Sequence, residues 1–153
     1  MAKATRYGQF CPIAKAAEIL ATLWTFLILR EPVCGSTRFN DIHRGMPLMS
    51  RSLLSQRLKE LEKAPVIERI EDTHARGVEY RLTTRGEDLR PIVLSLGVWR
   101  LRWAEIAIDS DEWDAGVLMW DMRRRIDHAA LPRGKCVIYF KYPDAPAELA
   151  GVV

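Results

Sequence analysis

The sequence is poor in the residues that cross-link or ligate. Cys11, Cys34 and Cys136 are its only cysteines in 153 residues. Their number is odd, no two form a CxxC pair, and their spacing does not repeat, which speaks against a disulfide framework and a zinc site. A reducing, cytoplasmic setting is expected. His43, His74 and His128 lie far apart and match no metal-ligand spacing. No Ser/His/Asp constellation and no Gly-rich phosphate loop is present, so no enzyme activity, metal or cofactor is expected. A leader peptide is not expected either, because the N-terminus has no apolar run ending in a small-residue cleavage site. The longest apolar stretch, Ile19 to Leu29, is interrupted by Thr22 and Thr25 and bounded by Glu18 and Arg30. A bilayer span needs about 20 apolar residues, so this stretch reads as a buried core helix and no membrane partner is expected.

What remains is an ordinary globular composition, 48% apolar and 28% charged, with a formal charge of +3. The length suits one domain, or one domain with an appendage. A mildly basic balance permits a polyanionic partner without requiring one, so the placement of charge matters more than its sum.

Residues 1–9 read as a loose polar arm. Pro12 suits the first position of a helix over 12–21, with Ile13, Ala16, Ala17 and Leu20 on one face. A second helix is expected over about 23–30, with Trp24, Leu27 and Ile28 inward and Pro32 and Gly35 ending it. Thr37 is expected to cap a short helix that buries Phe39 and Ile42. Gly45 and Pro47 mark a turn, and Ser50 has the position of an N-cap for a helix running to Ala64 and stopped by Pro65. The period then changes. Val78, Tyr80 and Leu82 alternate with polar residues, as in a strand with one buried face, and Ile67 to Glu71 suits its partner. Asp72 to Gly77 forms the polar hairpin tip. Thr84-Arg85-Gly86-Glu87 has capping-box spacing and is expected to open a long helix to about Ile108, with Pro91 in its second turn.

The helix Ser-Arg-Ser-Leu-Leu-Ser-Gln-Arg-Leu-Lys-Glu-Leu, residues 50–61, has an unusual second face. Leu54, Leu58 and Leu61 make its apolar stripe, while Ser52, Ser55, Gln56 and Lys59 share the other side. Serine is a modest helix former, so short hydroxyls there need a reason. A helix entering the major groove must approach base edges closely, and long acidic side chains would repel phosphates. Serine and lysine bond phosphate or base, and glutamine can bond adenine bidentately. Arg51 stands near the N-terminus, whose dipole favours phosphate. The alternative is a plain solvated helix face. The hairpin that follows, carrying His74 and Arg76 at a tip without apolar residues, favours DNA. Arg57 lies near the apolar side and reads either as a DNA contact or as a structural ion-pair partner of a residue such as Asp41.

A short helix, a turn, a second helix and a hairpin make a winged helix-turn-helix. At this point the chain resembles the HxlR-type winged-helix transcriptional regulators. The resemblance spans about 7–105 and rests on Tyr7-Gly8-Gln9-Phe10-Cys11-Pro12-Ile13-Ala14, Trp24 to Glu31, Arg38-Phe39-Asn40-Asp41-Ile42, Leu54 to Leu61, and Val78 to Thr83. It implies a homodimer on an inverted-repeat operator, often near its own gene, with the N-terminal and the long C-terminal helices in the dimer interface. Three departures stand out: Ala64-Pro65 where the family usually turns with Gly, Ala21-Thr22 where a Gly-containing break is common, and Pro32 after Glu31 where the helix often continues.

Dimerisation has a separate sign in the sequence. Leu89, Ile92, Leu96, Trp99, Trp103 and Ile106 form a stripe that a core of this size does not fully cover, and a surplus apolar stripe usually marks an interface. Cys11 precedes a helix N-terminus, with Lys15 one turn on, and both lower a thiol pKa. Some proteins of the resembled family sense electrophiles, quinones or hypochlorite through a cysteine here; a buried structural thiol is the other reading. Beyond an acidic link from Asp109, a helix over 117–126 and a strand over 136–142 resemble the opening of a sterol-carrier-type domain, too short to close a cavity. The run Arg123-Arg124-Arg125 reads as a solvated face, with nonspecific DNA contact as the other reading.

The expected fold class is mainly α with a small β-hairpin wing (α+β), a dimeric winged helix-turn-helix with a short C-terminal extension. The expected boundaries are an arm over 1–9, the DNA-binding and dimerisation domain over 10–108, and the extension over 109–153. The expected partners are double-stranded DNA and a second copy of the chain, with a small-molecule or oxidant effector as a further option. The DNA-facing set is Arg38, Arg44, Ser50, Arg51, Ser52, Ser55, Gln56, Lys59, Arg69, His74 and Arg76. The alternatives are a winged helix used only to bind a ligand or protein, or an activator rather than a repressor.

Overall fold

The structure is a computed structural model that describes residues 6–72, 77–103, 114–134 and 137. The chain separates into two compact units, residues 1–104 and 105–153.

The first unit begins with α1 (Pro12–Leu20), which starts behind Pro12 as proline chemistry favours. None of its residues is buried. Ile13 and Ala16, expected inward, are exposed, while Leu20 packs partly on the core. The joint to α2 (Thr25–Val33) is made by Trp24, which takes φ 78° as N-cap. A left-handed conformation is uncommon for a large side chain, and here the indole packs partly against the core. In α2 the buried side chains are Thr25, Ile28, Leu29 and Glu31, so Leu29 takes the inward place expected for Leu27. Pro32 does not end the helix. It sits within the last turn, and the helix closes at Cys34, whose N–H reaches the carbonyls of Arg30 and Glu31.

In α3 (Phe39–Arg44) the N-cap is Arg38 rather than Thr37, and no side chain caps it. The Thr37 carbonyl instead accepts the N–H of Tyr80 at 2.7 Å. The turn after α3 buries Met46 and Met49, and α4 (Arg51–Lys63) follows. Ser50 caps α4, its hydroxyl accepting from Leu53 N at 3.3 Å. Leu54, Leu58 and Leu61 join Ile28, Leu29, Ile42, Met46, Met49, Val66 and Ile67 in one apolar core.

Strands β1 (Ile67–Asp72) and β2 (Gly77–Leu82) pair antiparallel, with Ile67 opposite Leu82 and Asp72 opposite Gly77. An isolated bridge from Arg38 to Glu79 ties the start of α3 to the hairpin. The hairpin tip, including His74 and Arg76, lies outside the described residues. Its base is held by Thr83, whose hydroxyl donates to Pro65 O at 2.7 Å and accepts from Gly86 N at 3.2 Å. Thr83, not Thr84, therefore caps the next helix, α5 (Thr84–Glu87). A Cβ on Gly86 would stand 2.1 Å from the Val66 carbonyl, so only glycine lets α5 lie this close to the turn.

The single long helix expected from Thr84 is divided. Pro91 lacks an N–H and clashes with the carbonyl four residues back, and the chain restarts as α6 (Arg90–Trp103). Arg90 secures the restart, donating to Val33 O at 2.8 Å and pairing with Glu87 at 2.7 Å. Leu89 and Val93 pack partly on the core, whereas Ile92, Leu96, Trp99 and Trp103 are exposed. Ile106 lies outside the described residues.

In the second unit, Asp114 caps α7 (Ala115–Arg125) by accepting from Val117 N at 3.0 Å. Arg124 is not on a solvated face: its side chain is 8% exposed and pairs with Asp121. The strand expected over residues 136–142, and Cys136 with it, lies outside the described residues apart from residue 137.

One buried charge joins α2 to the α3–α4 turn. The Glu31 side chain is fully buried, accepts from Arg30 Nη2 at 2.7 Å, and faces Gly45, where a Cβ would come within 2.4 Å of the carboxylate. Arg30 Nη2 also donates to Gly45 O at 2.8 Å. Arg30 keeps 31% of its side chain exposed, so the loss of Glu31 removes charge-assisted hydrogen bonds rather than stranding a buried cation. Glu31→Ala is expected to cost about 2 kcal/mol of stability, measured by urea unfolding. A loss within experimental error of the parent chain would contradict this account.

Candidate nucleic-acid interface

The exposed side of α4 and its N-terminus bring together Ser50, Arg51, Ser52, Ser55 and Lys59. The Ser50 and Ser52 hydroxyls are 3.2 Å apart at the helix start. Arg51 donates to Asn40 Oδ1 at 2.7 Å and stacks 5.0 Å from the Phe39 ring centroid. The two helices of the helix-turn-helix are thereby tied at their N-terminal ends, and the free N–H groups of α4 point the same way as these hydroxyls, a ready setting for an anion. Lys59 is exposed and forms no ion pair with any described residue.

The remaining cations are held by acids. Arg44 pairs with Asp41 at 3.3 Å, Arg38 approaches Glu79 at 4.0 Å, and Arg69 pairs with Glu71 at 3.1 Å. The hydrogen bond to Glu71 raises the Arg69 pKa above its ordinary value. Glu79 also receives Arg81 at 2.6 Å, so one carboxylate serves two arginines where the wing meets α3. Exposed pairs of this kind are worth at most about 1 kcal/mol.

Gln56 and Arg57 behave differently from the serines. Gln56 Nε2 donates to Glu60 Oε1 at 2.9 Å, and Arg57 Nη1 donates to the other Glu60 oxygen at 2.5 Å. Burial raises the Glu60 carboxyl, but these two bonds outweigh it and hold its pKa below the usual carboxylate range. The structural partner of Arg57 is thus Glu60 on its own helix; Asp41 is taken by Arg44.

Sequence reasoning missed Asn40 and Glu60. The spacing of Glu60 from Gln56 and Arg57, at i+4 and i+3, does signal its bonds. Asn40 reaches Arg51 across the turn, and no periodicity encodes that contact.

Cys11 is half-buried and is the N-cap of α1, without a side-chain capping bond. The cation expected to act on it is engaged elsewhere, since Lys15 Nζ pairs with Glu18 at 3.0 Å. Cys34, which showed no notable surroundings in the sequence, is half-buried near Arg90 and contributes to raising that arginine's pKa, after the dominant Glu87 bond. Among the described residues no cluster of His, Cys, Asp and Glu could hold a metal. No single described helix is long and apolar enough to cross a membrane.

The profile of the HxlR-like helix-turn-helix family matches residues 19–107. The HTH-type transcriptional regulator YvaP of Bacillus subtilis (strain 168) is 39% identical over 101 residues, covering 64% of this chain and 93% of the relative. Among solved structures, the reduced form of the transcriptional regulator YodB from B. subtilis superposes with a TM-score of 0.54 at 30% identity, over 63% of this chain and 97% of that one. YodB has also been solved diamide-treated and quinone-bound. PA1607 covers 95% of this chain and 96% of its own with a TM-score of 0.61; at 21% identity the likeness is one of fold. A winged helix-turn-helix with a serine- and lysine-faced second helix, matched by this profile over most of its first unit, belongs to the HxlR-like helix-turn-helix family of DNA-binding transcriptional regulators.

Proposed function

We propose that the chain is a cytoplasmic, homodimeric repressor that binds an inverted-repeat operator and blocks polymerase. The observation that carries this reading is the outward face of α4. It joins close-approach hydroxyls, the exposed Lys59 and a helix N-terminus, and is flanked by Arg44 and Arg38, which stand against the half-buried Asp41 and Glu79. Ser50, Ser52, Ser55 and Lys59 meet the major groove. Gln56 joins them by exchanging Glu60 for a base edge. Arg38, Arg44 and Arg51 hold phosphates on either side, and Arg69, with His74 and Arg76, sets the wing against the backbone or minor groove.

The second copy is argued from exposed apolar surface. Trp99 is 62% and Trp103 72% exposed, and Ile92 and Leu96 share their helix. Phe10, Ile13 and Leu23 add exposed apolar area around α1. Patches of this size mark association surfaces, and a twofold dimer would place the two α4 helices about 34 Å apart, one turn of DNA.

An oxidant or electrophile is the proposed signal, received at Cys11. Its support is the similarity to YodB, whose solved forms include reduced, diamide-treated and quinone-bound states, and the half-buried position of Cys11 at the start of α1.

Three outcomes are expected. Lys59→Ala weakens binding to cognate and random duplexes alike and lowers the slope of log K against log salt by about one; an unchanged slope removes Lys59 from the interface. Trp99→Glu shifts the chain from dimer to monomer in sedimentation and weakens operator binding, and a dimer of unchanged affinity would place the interface elsewhere. Diamide releases operator DNA from the parent protein but not from Cys11→Ser in gel shifts; equal release from both would end the sensing role.

A further inference from the structure

Behind the recognition helix lies a cavity of about 640 Å³, between the side of α4 and the α1–α2 joint. Its size falls within the roughly 300–1,000 Å³ of small-molecule sites. Ala17, Ile19, Leu23 and Leu61 supply apolar wall. The polar wall is made by Glu18, Gln56, Arg57 and Glu60.

The charges in this wall are already matched. Glu18 takes Lys15 Nζ at 3.0 Å and Tyr7 N at 3.0 Å, and Glu60 takes Arg57 and Gln56. An anion entering here would meet two carboxylates, and a cation would meet two occupied acids beside Arg57. Tyr7, Thr22 and Thr25 add hydroxyls to the lining, and Arg57 Nε is buried and has no hydrogen-bond partner among the described residues. A buried donor without a partner is costly, and a modest turn of the side chain would offer it to an acceptor in the cavity.

We propose that this cavity is an effector site for a small uncharged aromatic compound bearing a carbonyl acceptor. The apolar wall takes the ring, and the carbonyl accepts from Arg57 Nε. Turning Arg57 toward the ligand loosens its bond to Glu60, the same carboxylate that holds Gln56. Occupancy at the back of α4 is thereby transmitted to its outward side. This last step rests on the DNA-binding reading; the ligand site does not.

The test is calorimetry on the full chain without DNA, using 4-methoxyacetophenone and its near-isosteric anion 4-methoxybenzoate. The ketone is expected to bind one site per chain, about tenfold tighter than the anion, and about tenfold weaker to Arg57→Lys, which keeps the charge but loses the Nε–H, the worth of roughly one hydrogen bond. Ala17→Phe, which puts a ring into the apolar wall where the ligand would lie, is expected to weaken binding by at least about tenfold. If that variant does not fold, Arg57→Lys decides alone. No heat of binding, equal binding of the anion, or full binding to Arg57→Lys or Ala17→Phe overturns the site. A change in oligomeric state on Ala17→Phe without ligand also overturns it, since the partner chain would then occupy the space. A final arm measures duplex affinity at saturating ketone, where a fall of about fivefold is expected. Binding with no such fall overturns the coupling while keeping the site.

Discussion

The buried Glu31 carboxylate governs how the helix-turn-helix is put together. It sits among apolar side chains with Arg30 as its charged partner, and its face is closed by the bare Cα of Gly45. Two pieces of chain meet at this residue. The end of α2 is held by its backbone, whose carbonyl accepts from Cys34 and Ser36. The α3–α4 turn is held because Arg30 reaches around the carboxylate to the Gly45 carbonyl. With the turn pinned, Met46 and Met49 stay in the core and Ser50 arrives where it can cap α4. A hydrophobic side chain would fill the same volume without choosing among neighbouring placements of that turn. A paired charge allows fewer, because each alternative leaves it unsatisfied.

Around that fixed turn the surface charges follow a different rule. Inside, the Glu31 carboxylate is closed off from water while Arg30 keeps 31% of its side chain exposed; outside, Arg38, Arg44 and Arg69 face acids across bonds that solvent weakens. Arg44 with Asp41, Arg38 with Glu79 and Arg69 with Glu71 lose little in exchanging a carboxylate for a phosphate. Lys59, by contrast, is exposed and forms no ion pair with any described residue. The interface is therefore graded, with its centre ready and its flanks held in position. Glu60 instead holds two partners from its own helix, Gln56 and Arg57.

Much of this was legible wherever a property repeats along the chain. The core stripe of α4, its Ser50 cap and the two strands of the hairpin all follow from local period and turn chemistry. The winged helix-turn-helix order came from those elements alone. Errors cluster at boundaries where two local signals compete. Thr83 and Thr84 both offer a hydroxyl, and Thr83 wins because its hydroxyl also reaches Pro65 O, a contact 18 residues away. Pro32 suggests a stop, but in the last turn of α2 its ring is accommodated within the helix end. Pro91, by contrast, stands early enough in its helix to force a restart, and the long expected helix becomes α5 and α6.

The site was legible by type and less so by partnership. Periodicity placed Ser52, Ser55 and Lys59 on one face, and it put Arg57 near the apolar side. It did not decide between Glu60 on its own helix and Asp41 as the partner of Arg57; the structure has Arg57 with Glu60 and Arg44 with Asp41. It could not join Asn40 to Arg51 across the turn, since that geometry exists only once Glu31 and Gly45 have set it. The exposure of α1 was equally hidden: an apolar face at helical spacing reads the same whether it meets its own core or another chain. Only the finished core, closed by ten side chains drawn from α2, α3, α4 and the segments beside them, shows that α1 and most of α6 were left outside it.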